Sequence, residues 1–68
     1  MRLIKLTDSI GRPVYINPEY ITGIATVDHP FFLTRVDLTN GYSYYAVEDV
    51  ETIAKMVAES GGEKEVIS

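Results

Sequence analysis

The one imidazole in the chain, His29, follows directly after Asp28. A carboxylate next to a histidine can orient the ring for proton transfer, but that chemistry also needs a nucleophile or a reacting group in contact with the base. No Gly-x-Ser-x-Gly elbow is present, and the serines fall in turns, a strand and the tail. His29 therefore reads as a loop residue preceding Pro30, not as a general base. Asp28, His29 and Asp37 are the best available oxygen and nitrogen ligands, yet their spacing matches no metal motif. With no cysteine, disulfides and the usual thiolate zinc sites are excluded. Neither a Walker pattern nor Gly-x-Gly-x-x-Gly occurs. The expectation is a protein that is not an enzyme, with no catalytic, cofactor-binding or metal-binding residues.

Aromatic residues carry the remaining chemistry. His29, Pro30, Phe31 and Phe32 form a loop between two strand-like stretches. Adjacent phenylalanines cannot easily both point the same way, so they either cap the end of the core or present a contact patch. Aromatic side chains are enriched at interface cores, and these four residues are the candidate interface. A weaker candidate face for a ligand or nucleic acid combines Lys5, Arg12 and Arg35 with Tyr42, Tyr44 and Tyr45. Tyrosines stack bases in single-strand binders, but strands favour tyrosine in any case. Six basic residues are scattered among ten acids, for a net charge of −4. Nucleic-acid affinity comes largely from phosphate neutralisation, so this balance makes nucleic acid an unlikely partner.

The elements that must hold these residues are short. Arg2 to Thr7 reads as a strand, Asp8 to Gly11 as a turn, and Pro13 to Ile16 as the return strand. Asn17-Pro18-Glu19 caps a helical turn that redirects the chain. Ile21 to Val27 is rich in β-branched residues, and Gly23 within it signals a bulge or close approach. Leu33 to Leu38 and Tyr42 to Val47 flank Asn40-Gly41, a strong hairpin signal of type I′. Val50, Ile53, Ala54 and Val57 then recur at helical spacing behind Asp49, a good N-cap. Gly61-Gly62 should end the helix.

These signals predict an α+β fold. About five short antiparallel strands form a bent sheet or small barrel-like meander, covered by one C-terminal helix. Residues 1–60 make a single domain, and 61–68 a flexible tail in which Val66-Ile67 could add to a sheet edge. A core in a chain of 68 residues rarely supplies more than about 3–5 kcal/mol. Without disulfide or metal, association is the expected supplement, and the chain should be a homo-oligomer. No stretch is long enough to span a bilayer, and no signal peptide is visible, so a cytoplasmic location is expected.

The layout resembles that of the FlbD-type small flagellar and swarming-motility proteins, with similar short proteins in phage and prophage settings. The matching residues are Ile4, Leu6 and Thr7, then Gly11 and Asn17, and then Thr34, Val36 and Leu38. Asn40, Gly41, Val47, Glu48, Val50 and Glu51 complete the set. The resemblance covers residues 2–58 and implies no catalytic or cofactor residues. Asp49 replaces the usual serine, and both residues cap helices. The His29–Phe32 loop is longer and more aromatic than the family pattern, so the resemblance carries over no partner. The leading reading is a non-enzymatic binding or adaptor protein that acts through protein–protein contacts. Its rivals are a small-ligand binder or phage-type inhibitor with an intersubunit pocket, and a nucleic-acid-binding module.

Overall fold

Two glycines set the two hairpins. Gly11 and Gly41 both adopt φ of 88°, the left-handed region that a Cβ disfavours. In the first hairpin, β1 (Ile4–Thr7) pairs antiparallel with β2 (Pro13–Ile16). Its turn is closed by Gly11 N–H to Asp8 O at 3.0 Å and Asp8 N–H to Arg12 O at 2.9 Å. The second joins β4 (Thr34–Leu38) to β5 (Ser43–Ala46). It repeats the same pattern, with Gly41 N–H to Leu38 O at 3.1 Å and Leu38 N–H to Tyr42 O at 2.9 Å. Asn40 keeps a negative φ, so the expected type I′ turn is corrected. Three residues form the loop and only the last, Gly41, turns left-handed. Asn40 instead accepts the Tyr42 N–H on its side chain at 2.9 Å.

The computed structural model describes residues 2–61. Between the hairpins, Asn17 Oδ1 accepts the Glu19 N–H at 3.0 Å and caps the short 3₁₀ turn Pro18–Tyr20. β3 (Ile21–Thr26) follows and pairs antiparallel with β4, with a register shift between Ile21 and Gly23. The helix α1 (Val50–Gly61) starts at Asp49, whose carboxylate accepts the Thr52 N–H at 2.8 Å. It includes Gly61, one residue past the expected domain end. The expected flexible tail, including the Val66-Ile67 edge strand, otherwise lies outside the described residues.

The α+β architecture is as expected: five antiparallel strands and one C-terminal helix. The strands do not close into a barrel or form one bent sheet. They form a two-stranded sheet, β1-β2, and a three-stranded sheet, β3-β4-β5. Pleating puts Ile4, Leu6, Val14 and Ile16 on one face of the first sheet and Ile24, Thr34, Val36 and Ala46 on one face of the second. These faces meet the helix in a core of Ile4, Leu6, Ile16, Val36, Ala46 and Ile53. Met56 and Val57 pack against it, whereas Ala54 is exposed. Of the expected stripe, Ile53 and Val57 face the core and Val50 is partly buried, while Met56 takes the place of Ala54.

Candidate functional site

The segment between β3 and β4 is pinned at its base. Val27 N–H bonds Leu33 O at 3.0 Å, and Leu33 N–H bonds Ala46 O at 2.9 Å. Inside it, His29 Nδ1 accepts the Phe31 N–H at 3.2 Å. A neutral ring in this arrangement carries its proton on Nε2, since its Nδ1 accepts from a backbone amide. The His29 ring stacks on Phe32, with centroids 3.9 Å apart and planes 9° apart. Phe32 in turn leans on Tyr45 at 4.7 Å, and Phe31 lies 5.7 Å from His29 in a tilted arrangement. Four rings thus form one chain. Phe32 is half-buried, while Phe31 is 66% exposed and Tyr45 44%. Neither phenylalanine belongs to the core.

Tyr45 connects this loop to the outer face of the three-stranded sheet. Ala25, Arg35 and Tyr45 are register partners across the strands, as are Gly23, Asp37 and Ser43. Arg35 Nε donates to Asp37 Oδ1 at 3.0 Å, and Ser43 Oγ donates to the same oxygen at 2.9 Å. The Ser43 hydroxyl first, and the Arg35 guanidinium second, hold the Asp37 carboxyl below its ordinary 3.8. The face is a charge-compensated polar strip beside an aromatic one. The Arg35-x-Asp37 spacing placed both on one side of a strand, so this pair was legible; the Ser43 contribution was not.

The weaker candidate set is not brought together. Lys5 faces outward from β1 opposite Tyr15, and Arg12 pairs with Asp8 at 3.2 Å in the first turn. Arg35 and Tyr45 lie in the other sheet, and Tyr44 points to its opposite face beside Val36. Tyr42 is exposed at the second turn. An open depression between β1 and the end of α1 is lined by Arg2, Leu3, Lys5, Met56 and Glu59. Among the described residues, no three metal-ligating side chains cluster, and no helix is long and apolar enough to cross a membrane.

Stability should fall in acid. Asp8 is lowered chiefly by the Arg12 amide, Asp37 by Ser43 and Asp49 by Thr52, each from an ordinary 3.8. A carboxyl depressed in the folded state contributes stability above its unfolded pKa, and that stability is lost as pH falls through the folded one. Thermal midpoints should therefore be level above about pH 5 and decline below about pH 4. Asp37→Asn and Asp49→Asn should each flatten that decline, and a profile unchanged in both variants would count against these contacts.

Compared with protein-family models, with curated proteins and with solved structures, the chain matches none.

Proposed function

We propose that this chain is a non-enzymatic binding or adaptor protein of the cytoplasm that acts through protein–protein contacts, with the His29–Phe32 loop and Tyr45 as its contact surface. The observation that carries this reading is the four-ring chain, which ends in an exposed Phe31 on a loop fixed at both ends. Fixing the loop before binding reduces the ordering cost of association. Pro30 adds to this by holding His29 extended. Burying Phe31, 66% exposed, against a partner is worth at most about 1.5–3 kcal/mol, roughly a 10- to 150-fold gain in affinity. The relation to FlbD-type proteins belongs to the same proposal. Its matching residues Gly11, Asn17 and Gly41 serve turns and a cap, so it concerns the path of the chain more than the partner. Separation of Lys5 and Arg12 from Arg35, and the pairing of both arginines with carboxylates, favour a protein partner over nucleic acid.

The test is the double change Phe31→Ser with Phe32→Ser, assayed by capture from native lysate and mass spectrometry beside wild type. The β-rich circular dichroism spectrum should survive, and capture of the wild-type partner should drop at least about tenfold. Unfolding of the double variant would assign the rings to the chain's own stability. Retained fold and retained capture would make the loop incidental. Phe31→Ser alone, which removes the exposed ring and leaves the Phe32 stack, separates the two effects.

A further inference from the structure

Among the described residues, the strand β5 has β4 on one side and no strand on the other. Its backbone phase follows from the turn. Leu38 and Tyr42 form a hydrogen-bonded pair, so alternation directs the peptide groups of Tyr44 and Ala46 to β4 and those of Ser43 and Tyr45 outward. Proteins protect such edges with charges, prolines or bulges. β1 carries Lys5, β2 carries Pro13 and β3 is bulged between Ile21 and Gly23. β5 reads Ser-Tyr-Tyr-Ala, with no charge, no proline and no register shift. Ser43, Tyr44 and Tyr45 are all exposed.

We propose that β5 pairs antiparallel with β5 of a second copy across a two-fold axis, joining the two three-stranded sheets into one of six strands. This rests on the reading of the chain as a protein-contact module, but it uses the backbone edge of β5 and not the loop, and shares only Tyr45 with that surface. The free groups choose the register. Val47 N–H already bonds Thr7 O at 2.9 Å, so the outward groups available are those of Ser43 and Tyr45. Opposing Ser43 to Tyr45 of the copy pairs both sets and places Tyr44 against Tyr44 of the copy at the axis, in a non-hydrogen-bonded pair where side chains approach closely. The copy's strand begins at Ser43, opposite Tyr45, so the ladder bonds end before Val47, whose N–H Thr7 already holds. A chain of net charge −4 meets its copy here without opposing like charges. Both aromatic loops then lie on the same side of the joined sheet, which makes the dimer bivalent. A strand of four residues gives an interface below about 1,200 Å², in the weak and concentration-dependent class.

Sedimentation velocity of the full chain from about 10 to about 500 µM should show dimer increasing with concentration. Tyr44→Lys and Tyr44→Glu should each weaken it at least about tenfold, because like charges face each other at the axis. Mixing the two variants should restore a heterodimer. Hydrogen exchange on wild type reads the same edge without a mutation: the Ser43 and Tyr45 amides should gain protection with concentration, and those of Ile24 and Thr26 on the β3 edge should not. A monomer throughout, or concentration-independent exchange at Ser43 and Tyr45, overturns the proposal. So does a dimer unaffected by either charge, or two folded variants that fail to combine. If Phe31→Ser abolishes the dimer while the Tyr44 variants keep it, copies meet through the loop and not the edge. If Phe31→Ser loses only the heterologous partner, both readings stand.

Discussion

Leu6→Ala is expected to remove most of the chain's folding stability and to leave a sizeable unfolded fraction at room temperature. Leu6 is 1% exposed and lies among Ile4, Ile16, Val36, Ala46 and Ile53, which form the whole buried apolar core of the described residues. Truncating a buried leucine costs about 2–5 kcal/mol, and a core of this size supplies about 3–5 kcal/mol in total. Val14 pairs with Leu6 across the hairpin but is only partly buried, so Val14→Ala should leave a cooperative transition. Urea unfolding followed by far-ultraviolet circular dichroism compares the two. A Leu6→Ala protein that unfolds cooperatively with less than about 1 kcal/mol lost would mean the core is not where stability resides. Any stability drawn from dimerisation would appear as a midpoint that rises with protein concentration.

The second large effect is expected at Glu48. Its carboxylate accepts the Thr7 N–H at 2.9 Å and the Thr7 hydroxyl at 2.8 Å. Its backbone carbonyl accepts the hydroxyl of the fully buried Thr34 at 2.7 Å. With Val47 N–H on Thr7 O, these bonds tie the end of β1 to the β5–α1 connection and so join the two sheets. Hydrogen bonds to a charged group contribute about 1.5–3 kcal/mol. Glu48→Ala should cost about 2–3 kcal/mol by denaturant midpoint, and Glu48→Gln less, since an amide oxygen still accepts one bond. The Thr7 amide should lose hydrogen-exchange protection in Glu48→Ala. A midpoint within about 0.5 kcal/mol of wild type would show that the sheets hold together by apolar packing alone.

What the sequence made legible was local. Gly11 and Gly41 marked the turns, Asn17 and Asp49 marked the caps, and Gly23 marked the irregular register of β3, because each acts on backbone within a few residues. The division into two sheets was not legible. It is bridged by Thr7 and Glu48, 41 residues apart, and nothing in the strand pattern specifies that pairing. The negative φ of Asn40 escaped for a different reason: Asn-Gly serves both two-residue and three-residue loops, and the closing pair decides. Similarly, the helix turns Met56 rather than Ala54 toward the core beside Ile53 and Val57. For the candidate site, the sequence located the loop and its aromatics. It could not place Phe32 between His29 and Tyr45, because Tyr45 arrives from another strand.

The central claim is that the loop's exposed ring touches another protein. A photoreactive phenylalanine analogue at position 31 tests it most directly, with the same group at Tyr15, similarly exposed on the other sheet, as the control. After irradiation in native lysate, position 31 should give a discrete protein adduct that an excess of unlabelled chain suppresses, and position 15 should not. No adduct at position 31, or the same adducts from both positions, would contradict the account.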